Sequence, residues 1–85
     1  YPNPFNPVTT IKYAIPATHS SPVHLHVSLV VYNILGQETA TLVNKNQEAG
    51  FYEVKFDGSQ FASGVYIYRL EAGSYTAVKK MMLLK

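Results

Sequence analysis

Residues 61–85 read FASGVYIYRLEAGSYTAVKKMMLLK, and the alternation within this stretch decides the fold. From Gly64 to Ala72, the residues Tyr66, Tyr68 and Leu70 fall on one face of an extended chain, and Val65, Ile67 and Arg69 fall on the other. That period of two belongs to a β-strand. Gly73-Ser74 supplies a two-residue hairpin turn, so Tyr75 to Leu84 returns beside the first strand as the last one.

The same alternation continues upstream. Ile11, Tyr13 and Ile15 oppose Thr10, Lys12 and Ala14 between Val8 and Ile15, and Pro16 ends that strand. Between Val23 and Tyr32, Val23, Leu25, Val27, Leu29 and Val31 oppose His24, His26, Ser28, Val30 and Tyr32. Asn33-Ile34-Leu35-Gly36 has the composition of a type I turn closed by glycine. Gln37 to Val43 then pairs back with Ala40 and Leu42 on one face, and Asn44 to Gly50 reads as a polar loop. Tyr52, Val54 and Phe56 alternate with Phe51, Glu53 and Lys55 before a turn at Asp57-Gly58-Ser59. Strands of this length, spaced by turn signals, predict an all-β fold, an immunoglobulin-like antiparallel β-sandwich of about seven strands. Tyr66 sharpens the prediction. A tyrosine just after a glycine at a sheet-to-sheet corner can turn its hydroxyl back to the upstream backbone.

Prolines and glycines divide the chain. All five prolines precede residue 23 and all five glycines follow residue 35. Residues 1–7 therefore read as a proline-rich extended lead-in at a sheet edge, within one domain spanning 1–85. The sequence opens at Tyr1 without an initiator methionine, which predicts a processed protein or a piece of a longer precursor. Charged residues make up only 14% of the chain and the net charge is +2. That balance is too mild for nucleic acid, which calls for clustered Lys and Arg in large excess. No apolar run approaches the ~18 residues of a membrane span. Cysteine is absent, which excludes disulfides, thiol nucleophiles and thiolate metal sites. Aromatic residues, at 13%, are the predicted source of core stability, because each large ring buries on the order of 150–250 Å².

Catalytic chemistry finds little to work with. Asp57 is the only aspartate and lies in a turn, and no serine joins it with a base in a nucleophilic arrangement. Glu38, Glu48, Glu53 and Glu71 fall at outward or loop positions, which speaks against a paired-carboxylate hydrolase. The chain is read as a non-enzyme that needs no cofactor. His24 and His26 share one face of a strand with His19 nearby, a spacing able to hold zinc or copper. Polar alternation on a solvent-facing strand yields the same pattern, so no metal site is predicted. Tyr1, Phe5, Phe51 and Tyr75 could stack on sugar, against the commoner reading of cross-strand packing. Lys79, Lys80 and Lys85 surround the apolar run Met81-Met82-Leu83-Leu84. Lysines on an edge strand commonly guard it against unwanted pairing.

Three blocks together carry a family resemblance. YPNPFNPVTTIKYAIP (1–16), LVVYNILGQETATLV (29–43) and FASGVYIYRLEAGSYTAVKKMMLLK (61–85), linked by GFYEVKFDGS (50–59), resemble the type A C-terminal sorting domain of type IX (Por) secretion cargo. The opening PNPFNP and the closing SGVY, KK and LLK elements are the specific ones, and Lys85 matches the terminal lysine of the pattern. The resemblance implies an immunoglobulin-like module that directs a cargo through the periplasm and across the outer membrane to the cell surface or the extracellular space. Its implied partners are secretion-machinery proteins at the outer membrane. Gly64, Tyr66, Lys80 and Lys85 fall on matching family positions, the lysines within the segment linked to recognition. With the apolar last strand beside them, Gly64, Tyr66, Lys79, Lys80, Met81, Leu83 and Lys85 are the residues expected to serve sorting and partner recognition. Two departures stand out: Thr39 occupies a position that is usually aliphatic, and Ser20 to Val27 lengthens the approach to the second strand. The rival readings are a subunit of an extracellular fibre that self-associates through edge strands by β-augmentation, and a carbohydrate-binding module of a secreted hydrolase.

Overall fold

A computed structural model describes residues 8–17 and 24–83. They form six strands: β1 (Val8–Ile15), β2 (His24–Tyr32), β3 (Glu38–Glu48), β4 (Gly50–Asp57), β5 (Gly64–Ala72) and β6 (Tyr75–Leu83). β1 and β4 pair in a two-stranded sheet, and the remaining strands form a four-stranded sheet in the order β3-β2-β5-β6. Every pairing is antiparallel. The two sheets face each other in a sandwich-like arrangement, so the all-β prediction holds. The expected count of about seven strands is corrected to six among the described residues. The lead-in 1–7, His19, Val23, Leu84 and Lys85 lie outside them.

Alternation explains which faces meet. Ile11 and Ile15 of β1 and Phe56 of β4 are buried, as are Val27, Leu29 and Val31 of β2, Val43 of β3, Tyr66, Leu70 and Ala72 of β5, and Leu83 of β6. Thr10, Lys12 and Ala14, on the opposite face of β1, are exposed. A two-stranded ribbon is marginal in water by itself. Its burial against the larger sheet is what makes β1 and β4 stable.

The second hairpin corrects the sequence reading. β3 does not stop at Val43 but runs on to Glu48, and its segment Asn44–Glu48 is strand rather than loop. These polar residues pair in register with Ser28, Val27, His26, Leu25 and His24. β3 is an edge strand, so its backbone needs only one partner and its side chains may stay polar. Gln47 is the exception. It is buried, and its Oε1 accepts a 2.9 Å hydrogen bond from the Tyr13 hydroxyl on the facing sheet. Register shifts between Leu29 and Val30 and between Val31 and Tyr32 leave Leu42 and Thr39 unpaired as bulges. At the second bulge the Thr39 hydroxyl donates to the Val31 carbonyl oxygen at 3.1 Å, a contact that an aliphatic residue there would forgo.

Three connections matter for the site. The predicted turn forms, with the Gly36 amide donating to the Asn33 carbonyl at 3.0 Å, while Asn33 Oδ1 accepts from the amides of Leu35 and Gln37. β3 passes into β4, on the other sheet, through Ala49 alone, and the Tyr52 hydroxyl donates to the Glu48 carbonyl across that step at 2.6 Å. β5 turns into β6 through Gly73-Ser74, with Gly73 at φ 61° and Ala72 opposite Tyr75. A left-handed residue at the first position of a two-residue hairpin is a glycine requirement. The regular register from there fixes each β6 side chain against β5.

Phe56, 1% exposed, is the largest fully buried side chain in the contact between the sheets. Truncation to Ala should cost about 3–5 kcal/mol, the usual loss for a buried aromatic. Urea denaturation of Phe56→Ala beside the unaltered chain measures it, and a loss under about 1 kcal/mol would place the core elsewhere.

Candidate functional site

The site begins at the corner between β4 and β5, where the chain leaves the small sheet for the large one. The Asp57 carboxylate accepts from the Ser59 amide at 3.0 Å, and the Phe61 amide donates to the Gly58 carbonyl at 3.0 Å, which folds the segment back on itself. Phe61 thereby stacks on Phe56 with ring centroids 5.6 Å apart. Tyr66 closes the group, inclined to both rings at 6.4 Å. Its hydroxyl donates to the Ala62 carbonyl at 2.7 Å. The corner bond expected from the sequence is therefore present. It satisfies a polar atom that would otherwise be buried with the ring.

The corner also seats the last strand. Gly64 lies opposite Leu83 and Tyr66 lies opposite Met81. Leu83, only 2% exposed, reaches across to Gly58, where a β-carbon would come within 2.6 Å of its Cδ1 and 2.7 Å of its Cδ2. The glycine is needed because the leucine occupies the volume of its missing side chain. Sequence reading assigned Gly58 to a turn and missed this contact, because nothing local links two residues 25 positions apart.

β6 forms one edge of the four-stranded sheet, and its two faces differ in composition. Tyr75, Ala77, Lys79, Met81 and Leu83 alternate onto the inner face, where Tyr75 and Lys79 are exposed, Ala77 and Met81 are half-buried and Leu83 is buried as a peg. Thr76, Val78, Lys80 and Met82 point outward, and Val78 and Met82 remain 59% and 61% exposed. Beside them on the outer face of β5 are Val65 and Ile67, both half-buried. Lys79 and Lys80 are exposed on opposite faces, and neither forms an ion pair with another described residue. Arg69 instead pairs with Glu71 at 2.8 Å on β5. Of the residues assigned to recognition, the structure brings six together along the β5–β6 hairpin, and Lys85 lies outside the described residues.

An open cleft of about 610 Å³ runs under this edge, between the small sheet and the inner face of β5–β6. Tyr13 and Tyr52, stacked at 5.4 Å, border it together with Tyr68, Tyr75 and Lys79. Phe51 also borders it. It stands opposite Ala14 and is 92% exposed, so cross-strand aromatic packing does not account for this residue. His26 is exposed on the outer side of β2.

Comparison with known families yields one match: the family described as secretion system C-terminal sorting domain aligns with residues 1–84. No curated protein and no solved structure matches the chain.

Two substitutions test the geometry of the corner. Tyr66→Phe should lose about 1 kcal/mol with its single hydrogen bond; an unchanged denaturation midpoint would reduce Tyr66 to a packing residue. Gly58→Ala should cost about 1–3 kcal/mol by overpacking against Leu83, and combining it with Leu83→Ala should cost less than the two single changes added together. Strict additivity in that cycle would disprove the peg.

Proposed function

The chain belongs to the secretion system C-terminal sorting domain family, and on that premise we propose that its β5–β6 hairpin is the part that the export machinery reads. Domains of this family are sorting signals for type IX secretion and not enzymes. They are recognised by the secretion machinery and lead to secretion across the outer membrane, to the cell surface or the extracellular space. What this chain must supply is therefore a surface that is distinctive when folded and reachable from outside.

One observation carries the assignment to β6. The strand is anchored by Leu83 at one end, yet it presents Lys79, Lys80 and Met82 to solvent along an edge with no neighbouring strand among the described residues. Gly64, Tyr66 and Leu83 act as supports: Gly64 opens β5, Tyr66 ties the corner, and Leu83 holds the strand down. Lys79, Lys80 and Lys85 provide the contact, and Met81, half-buried on the inner face against the core, joins the supports. Exposed cations steer an anionic partner and set specificity more than they add affinity, which suits a signal that must be read and then released.

A reporter fused to this chain in a type IX-competent host tests the reading. Lys80→Ala with Lys85→Ala should leave the thermal midpoint nearly unchanged, since exposed lysine pairs contribute under about 1 kcal/mol each, and should sharply lower export. Deleting 81–85 should damage both, because it also removes the Leu83 peg. Normal export of the double lysine variant would defeat the assignment.

A further inference from the structure

The two edges of the four-stranded sheet are built differently. β3 is broken by two register shifts against β2, and bulges of that kind twist an edge away from new partners. β6 pairs with β5 without interruption from Gly64–Leu83 to Ala72–Tyr75. It contains no proline or glycine, so its outer backbone groups form an uninterrupted row that no other described strand pairs. The small sheet also has open edges, but its lysines have polar partners within it. Lys12 stands opposite Glu53, and Lys55 Nζ donates to Thr10 Oγ1 at 3.3 Å. On β6 the two central cations stand opposite Tyr68 and Ile67 and have no acidic partner among the described residues.

We propose that β6 is an acceptor edge for an acidic strand of the export machinery, which adds antiparallel and places two consecutive acidic residues opposite Lys79 and Lys80. The inference rests on the assignment of recognition to β6 and specifies its mode. Directly opposed residues of an antiparallel pair share a face. One acid therefore meets Lys79 on the cleft side, and the next meets Lys80 on the outer side. Apolar residues flanking them on the outer side meet Val78 and Met82. Main-chain hydrogen bonds supply affinity and the paired side chains supply specificity, as in other cases of β-strand addition.

A second copy of this chain fits the same edge less well than an acidic strand. Lys79 is the midpoint of Tyr75–Leu83, so antiparallel self-pairing in full register sets Lys79 against itself. Sliding one residue in one direction sets Lys79 against Lys80, and sliding two sets Lys80 against itself; sliding the other way avoids these contacts only by facing Lys79 with Val78 or Ala77, which supply no countercharge. Opposed like charges destabilise a strand pair. The edge thus discriminates against its own kind while it favours an acidic strand.

The test uses the 85-residue chain and two probe peptides, Thr-Val-Thr-Glu-Glu-Val-Thr-Val-Thr and its counterpart with Lys-Lys at the centre. The acidic probe should bind at least about tenfold more tightly at low salt, lose that advantage as salt rises, and slow amide exchange along β6. Lys79→Glu with Lys80→Glu should fold normally, since both positions are exposed, and should reverse the preference. Equal binding of the two probes, or protection confined to the outer sheet face with none on β6, would overturn the proposal. Export of a reporter carrying the same charge reversal separates the two readings. Lost export without probe discrimination overturns strand addition and leaves recognition on β6. Probe discrimination with undiminished export supports the acceptor edge and overturns its use in sorting.

Discussion

A two-stranded ribbon cannot stand alone in water, and β1–β4 is such a ribbon. Its existence depends on the apolar contact that Ile11, Ile15 and Phe56 make with the inner face of the larger sheet. The aromatic group at one end, Phe56 between Phe61 and Tyr66, sets how closely the sheets approach. At the other end, Tyr13 and Tyr52 reach across to Gln47 and Glu48. The open cleft lies at the Tyr13–Tyr52 end. Rings at both ends, together with the aliphatic core of Ile11, Leu29 and Leu70, hold the layers together, which is how so small a chain forms two layers without disulfides.

The same contact prepares the edge that does the work. The corner holding Phe61 and Tyr66 also carries Gly58, and Gly58 receives Leu83. Disturbance of the inter-sheet core therefore reaches the last strand through Leu83, and through Ala77 and Met81, which also pack on the core. A receptor that reads β6 reads the folded state of the whole domain with it. The inner face of the strand reports on packing, and the outer face and edge are left for contact.

Much of this was legible in the sequence, for a physical reason. Where one face is buried and the other is wet, alternation must appear, and β1, β4, β5 and the buried row of β2 all show it. Tyr66 was legible because a corner tyrosine follows its glycine at a short, local spacing. β3 was misread because an edge strand with bulges obeys a weaker rule: Asn44 to Glu48 is polar and yet fully paired. Gln47 is buried there only because Tyr13, far away in sequence, supplies its partner. The Gly58–Leu83 contact is non-local in the same way. The expected count of about seven strands fell to six because the small sheet has two strands among the described residues.

The pairing of β1 with β4 joins Val8 to Asp57 and Ile15 to Gly50, so the first strand waits for a partner made much later in the chain. Leu83 then closes the core from nearly the far end. Such long-range closure is slow compared with hairpin formation, because the loop entropy comes due before the contacts form. It also imposes an order on biosynthesis. The β2–β3 hairpin can form early, but the core cannot close until elongation has passed residue 83. A product truncated or stalled before β6 would lack its peg and leave the edge of β5 unpaired, a fault visible to proteases and chaperones before any attempt at export.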